Sequence, residues 1–470
     1  MTDYSDNKFA NVFDKQKANQ YEVGNTSYKT RIKKLKALKY ALEKTYRQAL
    51  RDAMYKDFKK PQVEVDLTEI YLVVKEIKYV CSNLKTWLKK EKVETPLTLL
   101  GTTSYITYEP KGVCLIISPW NYPITLTFGP LVSAIASGNT VILKPSEMTP
   151  NTSAVMAEMV SELFKEDEVA LIEGEVEVSE ELLKLPFNHI FFTGSPQVGK
   201  IVMSAAAKHL SSVTLELGGK SPTIIHESAA IENAVKNIVW GKYLNGGQTC
   251  IAPDYVLVHE SVKTAFISAF KKQVTDYYTE HVKTSTSFCR IVNKRHFERL
   301  AASIEDAKEK QASVEFGGHY DASDNYIAPT LISDVPESAT LMQEEIFGPI
   351  LPVKTYQTID EVIQYVNSKE KPLALYIYAK KKNVVRTIIN QTRAGTTCIN
   401  SNAIQFSNHY LPFGGSNNSG IGKAHGYFGF KEFSNARSVL KKYAPGPLNL
   451  LFPPYTNFKE TLAKLSIKWF

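Results

Sequence analysis

One cysteine lies in a sequence context that suits nucleophilic catalysis. Cys250 follows residues 245–249, NGGQT, whose glycine pair allows backbone amides to approach a reacting oxygen. The other four cysteines lie in apolar or strand-like surroundings, where cysteine usually acts as a small buried hydrophobe. These four are Cys81, Cys114, Cys289 and Cys398. The sequence therefore favours Cys250 as the candidate nucleophile.

Two further side chains have the chemistry to assist such a nucleophile. Glu216 ends an apolar strand-like run where the chain breaks at Gly218 and Gly219, and desolvation there would raise its pKa toward the range of a general base. A glutamate at a strand end is also commonly solvated or paired. Asn121 lies in the loop SPWNYP, whose prolines stiffen it. Its amide is suited to an oxyanion hole or to satisfying its own turn.

Two turns after strand-like runs are candidates for binding an anion. The residues KPSE follow the run 141–143, and TGSPQVGK follows the run 189–192 and leads into a helix. A strand, a glycine-bearing turn and a helix N-terminus form a site suited to a pyrophosphate. The spacing Gly-x4-Gly departs from the usual GxGxxG pattern. Ile201 follows Lys200 where a nucleoside-triphosphate loop needs Ser or Thr, which argues against ATP or GTP.

The composition is that of an ordinary globular protein, with 43% apolar and 22% charged residues. A length of 470 residues predicts two or more hydrophobic cores. The formal net charge is +8, but the basic clusters at 33–36 and 380–382 are short and isolated. They indicate a solvated lysine-rich surface, so we expect no nucleic-acid partner.

The cysteine pattern and the apolar segments bear on location. The absence of a CxxC spacing argues against a zinc site or a disulfide framework, so we expect no metal and a reducing, cytoplasmic compartment. The first residues lack the pattern of a signal peptide. Residues 112–143 carry no charge, but their prolines and glycines predict a strand, a loop, a helix and a second strand, without membrane insertion.

These candidate residues must be positioned by alternating helices and strands. Apolar residues at helical spacing predict two long amphipathic helices, over about 27–58 and 67–90. From 113 to about 225, β-rich runs alternate with segments of helical length, which predicts βαβ units and a parallel sheet. A second series follows, with strands near 255–259, 350–354, 375–378 and 396–399 and a helix near 260–277. We therefore expect an α/β fold of two domains, with a hinge at 215–219.

Seven motifs occur in an order that resembles the aldehyde dehydrogenase superfamily. They are PWNYP, KPSE, FTGS followed by VG, LELGGK, GQTC, EEIFGP and PFGGSNNSGIG, and the resemblance extends from about Glu109 to Leu440. The string GQTCIAPDY and the PWNYP loop resemble the class 3, fatty-aldehyde and coniferyl-aldehyde branch. Many class 3 relatives have a cysteine just before GQTC where this chain has Gly246. The resemblance leaves residues 402–410 without an assignment.

The resemblance implies oxidation of an aldehyde to an acid with hydride transfer to NAD, with NADP also accepted. Cys250 is then the nucleophile and Glu216 the general base for hydrolysis of the thioester. Asn121 and the backbone N–H of Cys250 form the oxyanion hole. The implied cofactor-binding positions are Trp120, Lys144, Ser146, Glu147, Gly194, Ser195, Val198, Gly199, Leu217, Glu345 and Phe347. The implied lining of the aldehyde tunnel is Tyr122, Trp240 and Thr249.

The resemblance also implies a domain plan of two Rossmann-like parallel-sheet domains and a small β oligomerisation arm. The expected limits are 1–96 and 110–216 for NAD(P) binding, 217–430 for catalysis, 97–109 and 431–445 for the arm, and 446–470 for a tail. We expect a homodimer, because the chain lacks the longer N-terminal extension of tetrameric relatives. The tail has an amphipathic helical pattern. It is suited to docking on this chain or a partner subunit, to covering the tunnel, or to peripheral contact with anionic lipid.

Two other functions share part of this pattern. A coenzyme-A-acylating dehydrogenase would use Cys250 but does not need a carboxylate that activates water, and here LELGGK is intact. A catalytically silent binding protein on the same fold would be free to lose Cys250 or Glu216. Ester hydrolysis is an expected side reaction of the same cysteine.

Overall fold

Two large sheets, one small three-stranded sheet and one pair of two-residue strands form the β-structure of the protein in a computed structural model that describes residues 4–469. The strands are β1 (Glu91–Val93), β2 (Thr102–Pro110), β3 (Val113–Ile117), β4 (Thr140–Lys144), β5 (Val169–Leu171), β6 (His189–Gly194), β7 (Ser212–Leu217), β8 (Pro222–Ile225), β9 (Tyr255–His259), β10 (Ser313–Phe316), β11 (Tyr320–Asp321), β12 (Tyr326–Ile327), β13 (Thr330–Ser333), β14 (Ile350–Tyr356), β15 (Ala374–Tyr378), β16 (Thr396–Ile399), β17 (Gly420–Ile421) and β18 (Ser434–Lys442).

Helices cover both large sheets and connect their strands. They are α1 (Ala10–Gly24), α2 (Tyr28–Tyr40), α3 (Arg47–Phe58), α4 (Gln62–Val65), α5 (Tyr71–Trp87), α6 (Pro123–Ser137), α7 (Pro150–Leu163), α8 (Val176–Leu182), α9 (Pro196–Ala207), α10 (Ile231–Tyr243), α11 (Lys263–Tyr278), α12 (Lys294–Glu309), α13 (Thr340–Gln343), α14 (Ile359–Asn367), α15 (Lys382–Gln391), α16 (Gly426–Glu432) and α17 (Asn457–Trp469).

The first large sheet has the strand order β17-β7-β6-β3-β4-β5 and is parallel except for β17. Strands β3 and β4 are buried along their whole length, as expected for parallel strands covered by helices on both faces. The carboxyl ends of parallel strands meet at one edge of a sheet. The loops that carry Asn121 and Ser195 and the end of β4 that carries Lys144 therefore lie along the same edge, which is the usual position of a ligand in this architecture.

The second large sheet has the order β10-β13-β14-β9-β8-β15-β16 and is parallel except for β10. The chain passes from the first sheet to the second between Leu217 and Pro222, within and just after the segment expected to form the hinge. An α/β fold with two parallel sheets is thus confirmed. The limits of the individual domains stay a prediction.

The N-terminal helices differ in detail from the sequence-based expectation. A π-helical turn at Ala41–Thr45 separates α2 from α3, and a second one at Asp66–Ile70 separates α4 from α5. The expected helix over 67–90 therefore begins earlier, at Gln62. Helix α1 was not predicted, because few apolar side chains mark its buried face, where Gln16 is also buried.

The small sheet and the tail lie outside the two large sheets. Strands β1, β2 and β18 form an antiparallel sheet in which Thr102 pairs with Lys442 and Pro110 with Ser434. The tail forms α17, which in the described residues buries none of its side chains and contacts the short turn Pro447–Leu451. Docking on this chain therefore does not bury its apolar face. Within residues 4–469, no helix has the length and apolar character needed to cross a bilayer.

Candidate active site

Cys250 lies after a tight turn that connects α10 to the nucleophile. Residues Asn245, Gly246 and Gly247 all have positive φ, and a side chain at Gly247 would collide with the backbone of Gly348. This conformation favours glycine and explains the pair in the sequence. Burial raises the pKa of the half-buried Cys250 to about 12. The neighbouring Glu345 and Glu216 also raise it, whereas the backbone N–H groups of Cys250 and Ile251 lower it.

Glu216 lies at the carboxyl end of β7, where its side chain is buried. Neither carboxylate oxygen has a hydrogen-bond partner among the described residues. Burial raises the pKa of Glu216 well above its ordinary value; Lys423 lowers it and Glu432 raises it further. The Lys423 ammonium donates to the carbonyl oxygens of Gly414 and Gly415, at 2.6 and 2.8 Å. The carboxylate is therefore left free for another partner.

One cavity brings Cys250 and Glu216 together. Its walls are mainly apolar and come from the N-terminal helices, from α6 and from the segment 406–433. The side chains that line it include Leu72, Val73, Leu126, Phe406 and Phe413. Phe406 belongs to the region that the sequence left without an assignment. In the sequence it is an aromatic residue in a polar stretch, so its position in the cavity wall could not be predicted without the fold.

Asn121 lies on the loop between β3 and α6, directly against the turn that leads to Cys250. Its side-chain Nδ2 donates to the carbonyl oxygen of Gln248 at 3.0 Å. The Asn245 side chain donates to the carbonyl oxygen of Asn121 at 2.9 Å. The structure therefore joins the two loops that carry the candidate oxyanion-hole donors.

The three expected tunnel residues occupy different places. The hydroxyl groups of Tyr122 and Thr249 lie 2.7 Å apart and are buried. Trp240 is 39% exposed on α10. Within residues 4–469, none of the three lines the cavity that contains Cys250 and Glu216. Their contact with an aldehyde stays a prediction.

The turn after β6 has the features of a pyrophosphate site. Ser195 caps α9, with its Oγ accepting from the backbone N–H of Val198 at 3.3 Å. A side chain at Gly199 would press against Leu217 of β7 at 2.7 Å, so glycine allows the helix to lie close to the sheet. The exposed helix N-terminus and the adjacent Gly194 leave backbone amides available to an anion.

The expected ribose-binding residues lie at the end of the neighbouring strand β4. Lys144 is buried, and its Nζ donates to the carbonyl oxygen of Pro145 at 2.8 Å. The same Nζ lies 3.7 Å from Oε2 of Glu147. Ser146 accepts a hydrogen bond from the backbone of Met148 at 3.2 Å, which shapes the turn.

Glu345 and Phe347 reach the site from the second sheet. The Phe347 ring lies 5.3 Å from the Trp120 ring, so residues that are 227 positions apart meet at one edge. Burial and Asp254 raise the pKa of Glu345 to about 8, whereas a hydrogen bond from the Gly219 backbone lowers it.

An ion pair that the sequence did not predict holds the segment of Glu345 and Phe347 in place. Lys220 pairs with Asp254 and donates to the carbonyl oxygens of Leu341 and Glu344, at 2.7 and 2.8 Å. Asp254 accepts the backbone N–H of Ile346 at 2.9 Å. Among residues 4–469, no cluster of three His, Cys, Asp or Glu residues is arranged to hold a metal ion.

The chain is similar to a known protein family and to several of its members. The family model described as "Aldehyde dehydrogenase family" matches residues 1–439. The chain is 44% identical over 425 residues to the 4,4'-diaponeurosporen-aldehyde dehydrogenase of Staphylococcus aureus, covering 90% of this chain and 92% of that protein. It is 41% identical over 451 residues to aldehyde dehydrogenase family 3 member B3 of Mus musculus, covering 95% and 93%.

Solved structures show the same architecture. The substrate-bound state of Staphylococcus aureus AldH superposes with a TM-score of 0.94 at 41% identity, covering 98% of this chain and all of that one. Betaine aldehyde dehydrogenase from Staphylococcus aureus, in complex with NAD+, superposes with a TM-score of 0.83 at 28% identity, covering 93% and 88%. The chain therefore belongs to the aldehyde dehydrogenase family, within its class 3 branch, and is an oxidoreductase that converts aldehydes to carboxylic acids.

Proposed function

We propose that Cys250 attacks the aldehyde, that hydride passes to NAD, and that water activated by Glu216 releases the acid. One observation carries this proposal: Cys250 and the unpartnered carboxylate of Glu216 line the same apolar cavity. A buried carboxylate without hydrogen bonds is costly for folding, and such costs are typical of functional groups.

The first step forms a bond between Cys250 Sγ and the aldehyde carbon. With a pKa of about 12, the thiol is protonated in the free protein at neutral pH, so attack requires a proton acceptor. Glu216 is the carboxylate in the same cavity, and its raised pKa makes it a competent acceptor. The developing oxyanion is stabilised by the Cys250 N–H and by the Asn121 amide, which has a second N–H beyond the one given to Gln248.

The residues around the β6 turn fit a nicotinamide dinucleotide. The N-terminus of α9 would hold the pyrophosphate, Lys144 and Glu147 the adenosine ribose, and Glu345 the nicotinamide ribose. When bound there, NAD supplies the acceptor for the hydride that leaves the substrate carbon. Glu147 accepts hydrogen bonds from a ribose hydroxyl but repels a 2′-phosphate, so NAD is preferred and NADP is a weaker cofactor.

The second half of the reaction hydrolyses the thioester on Cys250. After Glu216 has released the proton of the thiol to solvent, a water molecule within the cavity gives a proton to the Glu216 carboxylate and attacks the acyl carbon, which releases the acid and the thiolate. The apolar walls around these two polar residues exclude other water and accommodate an aldehyde with an apolar chain. We further propose a homodimer through the β1-β2-β18 sheet and a cytoplasmic location.

A panel of aliphatic and aromatic aldehydes, with cofactor absorbance as the readout, tests this function. We expect NAD reduction by the wild-type protein and none by Cys250→Ala. Cys398→Ala is the matched control, because Cys398 is also partly accessible but lies on β16, outside the cavity lining. Unchanged turnover in Cys250→Ala would overturn the assignment of the nucleophile.

A further inference from the structure

Two fully buried charges and a neighbouring glutamate lie in the helical segment behind the active-site loops. The side chains of Lys60 and Glu69 are completely buried, and Lys60 Nζ lies 3.1 Å from Glu69 Oε1. Glu64 lies between them, on α4, and Glu69 belongs to the π-helical turn Asp66–Ile70. Moving charged groups out of water costs several kcal/mol each, and an ion pair recovers that cost only with good geometry and further hydrogen bonds. The partners of these groups are therefore informative.

Each carboxylate accepts a backbone N–H from one of the two active-site loops. Oε2 of Glu69 accepts the N–H of Thr125 at 2.8 Å, in the first turn of α6, just after the loop that carries Asn121. Oε2 of Glu64 accepts the N–H of Asn245 at 3.0 Å, in the turn that leads to the nucleophile. One helical segment thus holds both loops.

Lys60 contacts the ring of Tyr122, three residues before Thr125. Lys60 Nζ lies 4.0 Å from the centre of the Tyr122 ring, in the geometry of a cation–π contact. The Tyr122 hydroxyl lies 2.7 Å from Oγ1 of Thr249, the neighbour of Cys250. Lys60 therefore fixes a ring whose far end contacts the nucleophile loop.

A direct bridge joins the loops to each other. The Asn245 side chain donates both to the carbonyl oxygen of Asn121, at 2.9 Å, and to that of Gln248, at 3.1 Å. The turn around Asn245 has positive φ and needs external contacts to hold it. The Glu64 carboxylate supplies one of them.

We infer that Lys60, Glu64 and Glu69 are positioning residues that hold Asn121 and Cys250 in register for attack on the aldehyde carbonyl. None of the three lines the cavity within the described residues, so they act through Tyr122, Thr125 and Asn245. π-Helical turns are frequent at functional sites, in agreement with a turn at Glu69. The inference rests on the proposed roles of Asn121 and Cys250.

Substitution of the lysine tests the inference through kinetics. Lys60→Met leaves the Glu69 carboxylate without its ion-pair partner, so the double variant Lys60→Met/Glu69→Gln is made as well, because it carries no unpaired charge at the pair. A misplacement of about 1 Å costs up to about 100-fold in rate, so we expect kcat to fall about 10- to 100-fold in both variants. NAD-dependent oxidation and hydrolysis of 4-nitrophenyl acetate should fall together, because both need the same thiol and oxyanion donors. KM for NAD should stay near wild type, because the turn after β6 belongs to another element.

The adjacent residue provides a matched control. Lys59 is 44% exposed and pairs with Asp324 at 2.5 Å. Lys59→Met should keep wild-type kcat. This comparison separates loss of the buried ammonium from loss of a lysine at this end of α3.

Glu64 allows a test by conservative rescue. Burial raises the pKa of Glu64 to about 7, so the uncharged side chain of Glu64→Gln is close in charge to the native carboxyl group. Its amide oxygen also keeps an acceptor for the Asn245 N–H. Glu64→Leu removes that acceptor. We expect Glu64→Gln to keep near wild-type kcat and Glu64→Leu to lose about 10-fold or more.

Melting temperatures and the rate of Cys250 alkylation, measured by peptide mass, accompany each kinetic measurement. A purely structural role predicts a lower melting temperature with wild-type kcat in the folded protein. Wild-type kcat in folded Lys60→Met/Glu69→Gln and in Glu64→Leu would overturn the inference while leaving the proposed function intact. An active Cys250→Ala variant would instead overturn the proposed function. If Lys60→Met/Glu69→Gln does not fold, the comparison of Glu64→Gln with Glu64→Leu decides.

Discussion

Replacement of Glu216 by glutamine separates the two halves of the proposed reaction. Glutamine has nearly the same shape but cannot accept a proton from water. We expect Glu216→Gln to form reduced cofactor in a first turnover and then to stall, because the thioester on Cys250 is hydrolysed slowly. Because Glu216 also takes the thiol proton in the proposed reaction, this burst should keep its amplitude while its rate falls.

The structure sets the size of this effect. Both carboxylate oxygens of Glu216 lack hydrogen-bond partners in the described residues, so the substitution breaks no hydrogen bond. We expect the free energy of unfolding to change by no more than about 1 kcal/mol, so the substitution should lower the catalytic rate and not the stability. Removal of a general base costs about 10²- to 10⁴-fold, which corresponds to about 3–5 kcal/mol in the barrier to hydrolysis. The steady rate should fall by at least the lower value.

Stopped-flow absorbance of the reduced cofactor measures both phases at a single aldehyde concentration. Because burial raises the pKa of Glu216, its carboxylate fraction grows with pH over a higher range than for an exposed glutamate, and the wild-type steady rate should rise with pH over that range. Glu216→Gln should lose that rise, whereas Glu232→Gln, at an exposed position of α10, should keep it. A variant without any burst would refute the reasoning, because Glu216 would then be needed for hydride transfer itself.

Four further outcomes are expected. Glu147→Gln should raise kcat/KM for NADP relative to NAD, since it removes the charge that repels a 2′-phosphate; a wild-type enzyme that prefers NADP would contradict this. Burial raises the pKa of Glu76 to about 7, so the folded protein binds this proton more tightly than the unfolded chain. This stabilisation is fully present below about pH 4.5 and is lost as pH rises through 7, which lowers the free energy of unfolding by about 3 kcal/mol. In Glu76→Gln, the melting temperature should therefore change less with pH over this range. Light scattering should give twice the chain mass of 52.7 kDa, and a monomer or tetramer mass would exclude the dimer. Removal of the tail after Pro454 should change KM for long aliphatic aldehydes more than for short ones, and equal effects would reduce α17 to a structural element.

Local patterns predicted the parts of the fold that depend on local chemistry. Strand β9 has the predicted bounds, because its run of β-branched and apolar residues lies between the charged residues Asp254 and Glu260. The prediction that Cys250, Glu216 and Asn121 act together came from the motif order through the family resemblance. From the residue pattern alone, Glu216 could also be solvated or paired, and Asn121 could also satisfy its own turn.

Long-range partners could not be predicted in this way. Lys60 follows another lysine, and such a pair normally indicates a solvated surface, yet its side chain is fully buried against Glu69 and Tyr122. The phenylalanines of the cavity wall come from distant segments, with Phe191 on β6 and the others within residues 406–433, and only the fold brings them together. A single sequence carries no local signal for such contacts, because they depend on how two elements pack.

The backbone contact between Gly247 and Gly348 limits how this enzyme can be engineered. A side chain at Gly247 would collide with the carbonyl oxygen of Gly348, and one at Gly348 would press on Leu300 at 2.5 Å. Directed evolution toward a new aldehyde therefore has little freedom in the segment before the nucleophile, where most substitutions would displace the peptide that carries Phe347. Libraries should leave both glycines fixed and vary Leu72, Leu126 and Phe406, whose side chains shape the cavity without supporting the backbone of the nucleophile.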